Sequence, residues 1–362
     1  MKKFCLVYGG DSLEAEISIL TALKVQKELE KFSYPYMMVY LDHDGNFYTG
    51  KSLLFKTNYT HLTKFKKGNF EKNNQHYYFK TKFKKEEFDV VLLLVHGYHA
   101  EDGTLGGYFD TLKIPCIYPG LIQSALLQDK VAFKRIMSGL NIKQTKYIVL
   151  NENEFNLKKE SLVINLKYPL IVKPSLLGSS IGVNKVNNEN ELFNALYEGF
   201  KFDETLIIEE AVNNLKEINV ALLKVDNEII VSSLERVNDK EKVLSFIDKY
   251  DNYSLTDTHI IPADIDNKIA KKIIYNAKMV YQKLNLKSIV RFDYLLDYER
   301  NEFYLNEVNA IPGSLSYYLF ENKDIKMVDL VDLLYKAYKE NKKEDLKKLH
   351  QYNQTLNSLK EK

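Results

Sequence analysis

Two carboxylates and one amide lie on a predicted β-hairpin in the C-terminal third of the chain. They are Asp293, Glu307 and Asn309. Because side chains alternate along a strand, Asp293 shares a face with Arg291, and Glu307 shares a face with Asn309. If the hairpin is symmetric, Asp293 faces Glu307 and Arg291 faces Asn309, with facing Cβ atoms about 4.5–5.5 Å apart.

This pairing predicts a site for a cation. Opposed carboxylates repel each other unless a cation lies between them. Carboxylate and amide oxygens are hard ligands that suit Mg²⁺, which keeps coordination positions open for water and phosphate oxygens. The three side chains therefore indicate metal–nucleotide chemistry, and the alternative is an exposed hairpin that carries scattered acids.

A second candidate site is a strand that ends at Lys173 and the loop of small residues at 175–182. Small residues let the backbone approach a ligand, and the loop's amides and hydroxyls, including those of Ser179 and Ser180, can hold phosphate oxygens. Lys173 adds a positive charge. The loop is not a P-loop, because no Gly-Lys-Ser/Thr sequence opens a helix. A plain turn is the alternative.

Further charged residues have positions that suit nucleotide binding. Lys130 lies in a helix predicted over 124–140, Glu209 and Glu210 end a predicted strand, and Glu217 follows a short polar stretch. Lysines can hold phosphate, and carboxylates can hold ribose hydroxyls. The alternatives are a solvated surface lysine and acids that are merely exposed.

The order of the predicted elements indicates several domains. The chain has 362 residues, too many for one compact core. Strands that alternate with helices predict an α/β fold with a parallel N-terminal sheet. We place an N-terminal α/β domain at 1–122, a central domain at 123–210, a C-terminal domain at 211–338 and a lysine-rich tail at 339–362.

Composition argues against several classes of protein. The net charge of +2 favours neither nucleic acid nor membrane binding. Cys5 and Cys116 have no metal-like spacing, and the aliphatic run Val90 to Val95 is too short to span a membrane. We expect a soluble cytoplasmic protein. Residues 51–85 carry ten lysines and one acid, which indicates a solvated insertion or, alternatively, a basic interaction surface.

Five segments, in this order, resemble the D-alanine–D-alanine ligases of the ATP-grasp superfamily. They are Gly9–Ser18, His96–Thr104, Ser124–Lys134, Val172–Gly182 and Arg291–Gly313. The resemblance extends from Val7 to about Leu334. It implies an α/β, three-domain ATP-grasp fold in which ATP is clamped between central and C-terminal α+β domains.

The resemblance also implies an activity, the ATP-dependent joining of two D-alanines through an acyl phosphate for peptidoglycan precursor synthesis. Two Mg²⁺ ions, replaceable by Mn²⁺, would bind the three hairpin ligands. The residues implied in ATP binding are Lys130, Lys173 and Ser180 at the phosphates, Glu209, Glu210 and Val212 at the adenine, and Glu217 at the ribose.

The resemblance assigns the remaining site residues to the donor D-alanine and the reacting atoms. Glu14 would bind the donor's amino group, with Ile17 and His96 beside it. Ser179 would connect Glu14 to a tyrosine on a mobile loop, which we place at Tyr250. The oxyanion site would be Arg291 with the backbone of Gly313. The family also implies a homodimer, with no nucleic-acid or membrane partner.

The sequence departs from the family most clearly after Gly313. Tyr318 stands where the family has a serine that grips the acceptor carboxylate, Leu319 keeps the usual type, and Ser316 could substitute for the serine. Two alternatives follow. One is a ligase that joins D-alanine, or another small amino acid, to a different acceptor such as D-serine or D-lactate. The other is a nucleotide-binding protein without activity, against which all the main site residues are present.

Overall fold

The computed structural model describes residues 1–55, 58–59, 64–158, 164–237 and 259–358, with side chains described as far as residue 343. Their strands form three sheets of eight, four and six strands. The sheets draw on residues 4–117, 147–210 and 215–309. They fall within the three domains proposed from the sequence, and the division itself remains our proposal.

The N-terminal sheet has a parallel half and an antiparallel half. Strands β1, β2, β7 and β8 pair in parallel, and helix α1 (Ala15–Lys31) packs against β1. Helix α2 (Thr104–Thr111) precedes the last strand. The strands are β1 (Phe4–Gly9), β2 (Tyr36–Leu41), β3 (Phe47–Thr49), β4 (Lys66–Asn73), β5 (His76–Thr81), β6 (Lys85–Phe88), β7 (Val90–Leu93) and β8 (Cys116–Ile117).

The lysine-rich segment supplies the antiparallel half. Strands β4 and β5 form a hairpin that buries Phe70 and Phe79 on one face. On the other face Glu71 pairs with Lys80 at 2.8 Å and with Lys85 at 3.5 Å. The described part of the segment is therefore an extension of the sheet whose solvated face mixes both charges.

The central sheet is fully antiparallel, in the order β11-β10-β12-β9. Its strands are β9 (Tyr147–Asn151), β10 (Leu170–Pro174), β11 (Asn184–Val186) and β12 (Thr205–Glu210). The helices of this region are α3 (Leu121–Gln128), α4 (Lys130–Gly139), α5 (Glu152–Lys158) and α6 (Glu189–Gly199).

The prediction of a single helix over 124–140 is wrong, because the helix is interrupted at Asp129. This residue has an extended backbone, with φ −79° and ψ 101°. Its carboxylate accepts hydrogen bonds from the backbone N–H groups of Val131 at 2.9 Å and Ala132 at 3.0 Å. A capping aspartate starts a new helix, and Lys130 consequently becomes the first residue of α4.

One face of the C-terminal sheet packs against helix α7 (Asn267–Lys283). That face and the helix form an apolar core around Ile218, Phe292, Ile273 and Ala277. The strands are β13 (Leu215–Val225), β14 (Glu228–Val231), β15 (Glu235–Val237), β16 (His259–Ile260), β17 (Val290–Asp297) and β18 (Glu302–Asn309). The opposite face is polar at the ends of these strands that carry the predicted metal ligands.

A long final helix, α8 (Met327–Ser358), packs back on the N-terminal domain. The ring of Tyr335 meets that of Phe4 edge-on, with centroids 6.2 Å apart. The proposed boundary between residues 338 and 339 lies inside this helix, so the first part of the tail continues the helix without interruption. Within the described ranges, no helix has the length and apolarity needed to cross a membrane.

Candidate functional site

The site is organised on a row of polar residues across the C-terminal sheet. Glu235, Asn219, Asp293 and Glu307 are successive register partners on β15, β13, β17 and β18. Partners in register project to the same face of a sheet. The row therefore places these side chains side by side on the face opposite the apolar core.

The hairpin of β17 and β18 has the register expected from its symmetry. Asp293 faces Glu307, and Arg291 faces Asn309. A bulge between Asp293 and Tyr294 shifts the register by one residue on the far side of the site. Bulges re-aim side chains beside functional sites, and in this hairpin the shift leaves the four polar residues aligned.

Arg291 and Asp293 form a bidentate ion pair that was not foreseen from the sequence. The guanidinium donates from Nε and Nη2 to the two oxygens of Asp293, both at 2.7 Å. Asn309 Nδ2 donates to Asp293 Oδ2 at 2.8 Å. Burial and the charge of Glu307 raise the pKa of Asp293, and Arg291 opposes that rise. A positive partner such as Arg291 therefore favours the ionised form of Asp293.

The same residues fit a magnesium site by their donor chemistry. Two buried or partly buried carboxylates meet across the hairpin, and the amide of Asn309 adds a third oxygen. Over the described ranges, no group of three His, Cys, Asp or Glu residues could hold a metal. A metal on this hairpin therefore depends on Asn309 as the third ligand and competes with Arg291 for Asp293.

Three lysines from the central domain face the hairpin. Lys173 on β10 pairs with Glu209 on β12, and its Nζ donates to Asn306 Oδ1 of β18 at 3.1 Å. Lys134 on α4 pairs with the other oxygen of Glu209 at 2.9 Å. Burial would raise the pKa of Glu209, but the two lysines hold it well below its usual range. Glu209 therefore fixes two cations beside the hairpin.

Lys130 lies between the predicted ATP and donor sites. Its Nζ donates to the backbone carbonyl of Leu177 in the loop of small residues at 175–182. Burial lowers the pKa of Lys130, as does the charge of Lys173, whereas Glu307 and Glu14 oppose the change. The charges of Glu307, Lys173 and Glu14 therefore all act on the ammonium group of Lys130.

Glu14 lies in a cradle made by two glycines and a serine. Its carboxylate accepts a hydrogen bond from Ser179 Oγ. A Cβ atom on Gly178 would approach the two carboxylate oxygens to 3.0 and 3.1 Å, and one on Gly97 would approach Oε2 to 2.7 Å. Burial, followed by the charge of Glu101, raises the pKa of Glu14. The N-terminal domain and the central loop thus meet at this carboxylate.

His96 contacts Thr21 and Glu101 in the N-terminal domain. Its Nε2 lies 3.1 Å from Thr21 Oγ1, and its Nδ1 lies 3.4 Å from Glu101 Oε1. Thr21 Oγ1 also accepts the backbone N–H of Ser314 at 3.3 Å. Because Ser314 follows Gly313, this chain of contacts joins the His96 loop to the predicted oxyanion loop. Ile17 packs on the same helix as Thr21 and is buried.

The loop after Gly313 is a strained left-handed turn. Ser314, Leu315 and Ser316 have φ values of 51°, 55° and 48°, a run that L residues rarely adopt. Among the described residues, no hydrogen-bond partner is available to Ser316 Oγ, which is fully buried. Tyr318 follows the turn, and its hydroxyl donates to Glu235 Oε2 at 3.3 Å.

The other predicted ATP contacts are distributed as follows. Glu217 lies two residues from Asn219 and shares its face of β13. The side chain of Glu210 points away from Lys173, because it accepts the backbone N–H of Lys167 at 3.2 Å. Val212 is half-buried at the turn between β12 and β13, and Ser180 follows Ser179 in the loop. Tyr250 lies outside the described residues.

Four site residues were given no role from the sequence: Lys134, Asn306, Asn219 and Glu235. Lys134 lies one helical turn after Lys130, a spacing that places both on one side of a helix, so periodicity could have indicated it. Asn306 adjoins Glu307 but projects to the other side of the ideal strand. Glu235 and Asn219 are aligned with Asp293 only by strand pairing across the sheet, for which the sequence carries no local signal.

The paired lysines give a stability prediction. Lys134→Met leaves the buried Glu209 with one cation, and we expect the free energy of unfolding at pH 7 to fall by about 1–3 kcal/mol. Because the pKa of Glu209 is depressed, its contribution is present above its usual pKa of 4.5 and is lost as pH falls below that value. The difference between variant and parent should therefore shrink toward acid pH.

Urea unfolding at pH 7 and at a series of pH values below 4 measures this effect. Lys146→Met is the matched control, since Lys146 is exposed and 4.0 Å from Glu210, and it should change little. Equal stability of the Lys134→Met variant and the parent at pH 7 would show that the second lysine does not stabilise Glu209.

Fold and site together define an ATP-grasp enzyme, with two antiparallel sheets that bring lysines and carboxylates to one place. Comparisons with known proteins agree. Residues 3–119 match the family described as D-ala D-ala ligase N-terminus, and residues 136–345 match D-ala D-ala ligase C-terminus. The chain belongs to the D-alanine–D-alanine ligase family, whose members are carbon–nitrogen ligases that use ATP.

Individual relatives cover nearly the whole chain. D-alanine–D-alanine ligase B of Clostridium tetani is 33% identical over 319 residues, 86% of this chain and 85% of that protein. The Campylobacter jejuni ligase is 34% identical over 326 residues, 88% and 90% of the two chains.

Solved structures agree at the level of fold. The D-alanine–D-alanine ligase of Helicobacter pylori has a TM-score of 0.75 at 29% identity and covers 94% of this chain and 98% of its own. The VanG D-Ala:D-Ser ligase of Enterococcus faecalis has a TM-score of 0.77 at 26% identity, with 93% and 99% covered.

Proposed function

We propose that this protein joins two D-alanines to D-alanyl-D-alanine with ATP as the energy source, for peptidoglycan precursor synthesis. The observation that carries the proposal is a set of contacts that joins the three domains. Lys130 Nζ donates to Leu177 of the loop at 175–182, Ser179 of the same loop donates to Glu14, and Lys173 donates to Asn306 beside Glu307. The proposed donor, phosphate and metal sites are therefore neighbours.

In this proposal the ATP phosphates lie against Lys130 and Lys173, with the Ser179–Ser180 turn closing over them. Glu209, which also pairs with Lys134, holds Lys173 in place. The adenine lies along the end of β12 from Glu209 to Val212, where Glu210 offers its backbone, and Glu217 binds the ribose. Glu217 shares a sheet face with the hairpin ligands, so sugar and phosphates can lie along one surface.

Asp293, Glu307 and Asn309 would hold magnesium, in two ions by analogy with the family and with Mn²⁺ as a substitute. When bound, magnesium neutralises phosphate charge and orients the γ-phosphate. Arg291 could then pair either with Asp293 or with the reacting oxygens. In this proposal it leaves its ion pair with Asp293 and stabilises the negative charge that develops in the reaction.

The donor D-alanine would be held by Glu14 through its ammonium group, with Ile17 and His96 behind it. Burial strengthens such a charge pair, and Ser179 orients the carboxylate. We propose that Ser179 also contacts the loop tyrosine at Tyr250. That contact lies outside the described residues.

The reaction would proceed in two steps. A carboxylate oxygen of the donor attacks the γ-phosphate, and ADP leaves. Lys130 and Lys173 stabilise the negative charge on the transferred phosphoryl group. The acceptor, once its ammonium group has lost a proton, attacks the acyl carbon as a neutral amine, and its nitrogen gives up a second proton to the leaving phosphate as the amide forms. Arg291 and the backbone N–H of Gly313 stabilise the oxyanion, and the C–O bond breaks to release phosphate. The site must exclude water throughout, because an acyl phosphate hydrolyses readily.

A second candidate function is a ligase with another acceptor. It is favoured by Tyr318 in place of a serine and by the likeness to a D-Ala:D-Ser ligase. An inactive binding protein is disfavoured, because Glu14, Lys173, Arg291, Asp293, Glu307 and Asn309 are all present. We further propose a homodimer that works in the cytoplasm, with ATP and D-alanine as its small-molecule partners and no nucleic-acid or membrane partner.

A panel of acceptors tests the choice between these functions. Purified protein receives ATP, magnesium and D-alanine, alone or with D-serine or D-lactate, and product mass is read beside phosphate release. Predominant D-alanyl-D-alanine supports the proposal. A dominant mixed product supports the second candidate, and tight ATP binding with no turnover for any pair would sink both ligase functions.

The glycine cradle around Glu14 gives a more local prediction. Gly178→Ala places a methyl group about 3 Å from the carboxylate oxygens, so Glu14 or the loop must shift by a few tenths of an ångström. We expect the KM for the donor D-alanine to rise about tenfold, since such a displacement weakens a charged hydrogen bond. The KM for ATP should change less than twofold.

Gly139→Ala is the matched control. A Cβ atom there meets nothing within 4 Å, and alanine favours a helix, so its kinetics should match the parent. Equal KM values for D-alanine in the two variants would show that Gly178 does not shape the donor site.

A further inference from the structure

Asn219 is a buried amide to which the proposed reaction gives no role. It lies on β13 as the register partner of Glu235 on one side and of Asp293 on the other. Its side chain is 3% exposed. Register partners project to the same face of a sheet, with Cβ atoms about 4.5–5.5 Å apart. The amide is therefore a direct neighbour of a proposed metal ligand.

The orientation of this amide is set by Glu235. Asn219 Nδ2 donates to Glu235 Oε2 at 3.0 Å. Burial alone would raise the pKa of Glu235, but hydrogen bonds from His259 and Asn219 hold the pKa below its usual value. An ionised carboxylate only accepts hydrogen bonds, so the amide nitrogen must face Glu235. The amide oxygen, Oδ1, must consequently point away from Glu235.

This oxygen is an acceptor for which the surrounding residues supply no donor. Within the part of the chain that the structure describes, no group donates to Asn219 Oδ1, although the atom is buried. An unpaired buried acceptor costs about 1–3 kcal/mol. Asp293 cannot fill the role, because its own oxygens accept from Arg291 and Asn309. The donor that suits Oδ1 is therefore a group that the site binds.

We propose that Asn219 is a positioning residue of the metal site, and that its Oδ1 accepts a hydrogen bond from a water molecule carried by magnesium. This inference rests on the metal of the proposed function. Magnesium usually keeps several waters when it binds to protein carboxylates, and a cation makes its water a stronger donor. Hydrogen-bond partners of this kind typically change metal affinity 10–100-fold. Glu235 then has a task, which is to orient the amide.

The test measures metal binding without turnover. The protein is titrated with Mn²⁺ in the presence of a non-hydrolysable ATP analogue, and free Mn²⁺ is read by electron paramagnetic resonance. Asn219→Leu removes the oxygen, whereas Asn219→Asp keeps an oxygen and loses the N–H donor. Asn276→Leu is the matched control, because Asn276 on α7 also uses its amide in the same domain, accepting from Tyr294 at 2.8 Å on the opposite face of the sheet. Urea unfolding gives the stability of each variant.

We expect Asn219→Leu to raise the Kd for Mn²⁺ about tenfold or more. Asn219→Asp should bind Mn²⁺ at least as tightly as the parent, because a carboxylate also accepts from a metal-bound water. The same variant should be less stable without metal, since the new charge lies between Glu235 and Asp293. A merely structural amide would instead make both variants lose Mn²⁺ affinity in step with stability. Asn276→Leu should keep the parental Kd within about twofold.

The opposing results are distinct. A folded Asn219→Leu variant with the parental Kd, or an Asn219→Asp variant that binds Mn²⁺ tenfold more weakly, would overturn this inference and leave the metal assignment standing. A parent that binds no Mn²⁺ beside the analogue would overturn both. A parent that binds Mn²⁺ and ligates no pair of substrates would overturn the proposed function alone. If Asn219→Leu does not fold, Asn219→Val, a strand former without a side-chain oxygen, takes its place.

Discussion

Replacing Glu307 with glutamine should lower kcat at least about 1,000-fold without weakening the fold. The lost carboxylate is a proposed magnesium ligand, and several kcal/mol of charge stabilisation correspond to this factor. Glu307 faces Asp293 and raises the pKa of that residue. Its neutralisation therefore removes a repulsion, and the melting temperature should stay the same or rise.

The measurement combines steady-state phosphate release with thermal unfolding in the absence of nucleotide. Glu302→Gln is the matched control at the far end of the same hairpin, where the carboxylate pairs with Lys143 in solvent, and its rate should equal that of the parent. A Glu307→Gln variant that retains the parental rate would remove the metal assignment.

Asp293→Asn should behave differently, although it changes a residue of the same proposed site. Arg291 would lose its bidentate ion pair with Asp293, because an asparagine amide offers it one uncharged oxygen in place of a carboxylate. Breaking such a pair costs about 3–5 kcal/mol. Asp293→Asn and Glu307→Gln should therefore both abolish turnover, but only Asp293→Asn should lower the free energy of unfolding.

Replacing Glu14 with glutamine should lower kcat/KM for D-alanine about 100-fold or more, with ATP affinity unchanged. The substitution keeps the size of the side chain and removes the charge that would hold the donor's ammonium group. Loss of one partner from a buried charge pair costs about 2–5 kcal/mol. Glu16→Gln, on the exposed face of the same helix, is the matched control and should leave all constants as they are.

The pH dependence adds a second readout for Glu14. Burial and Glu101 raise its pKa above the usual 4.5. The residue must be ionised to bind an ammonium group, so kcat/KM for D-alanine should fall as pH drops through that raised pKa. The acid limb should disappear in Glu14→Gln. The raised pKa also means that ionisation costs folding stability as pH rises through it, so the variant should be the more stable protein at pH 7.

An acid limb that persists unchanged in Glu14→Gln would assign it to another group. Unchanged kcat/KM for D-alanine at pH 7 would remove Glu14 from the donor site altogether.

The hairpin shows how much of the site follows from sequence. Alternation along β17 and β18 and a symmetric turn were enough to predict that Asp293 faces Glu307, because both rules act between near neighbours in the chain. The bulge after Asp293 was not predicted. The extra residue does not change the alternation of polar and apolar side chains in the half of the hairpin that carries the site, so the sequence pattern gives no sign of it.

Contacts between distant segments were harder to foresee. The cluster of Glu235, Asn219 and Tyr318 depends on which strands are neighbours and in which register, and no local pattern encodes either. The break at Asp129 is a different case. A capping aspartate followed by a lysine-rich amphipathic stretch is a local signal for a helix start. The boundary between α3 and α4 was missed because the hydrophobic periodicity continues across Asp129.

The most direct test of the account follows one oxygen atom. D-alanine labelled with ¹⁸O in its carboxylate is turned over with ATP and magnesium, and the released phosphate is examined by mass spectrometry. If the donor carboxylate attacks the γ-phosphate and the amine later breaks the C–O bond, each dipeptide releases one phosphate that carries one ¹⁸O atom. Unlabelled phosphate, or phosphate release without D-alanyl-D-alanine, would contradict the account.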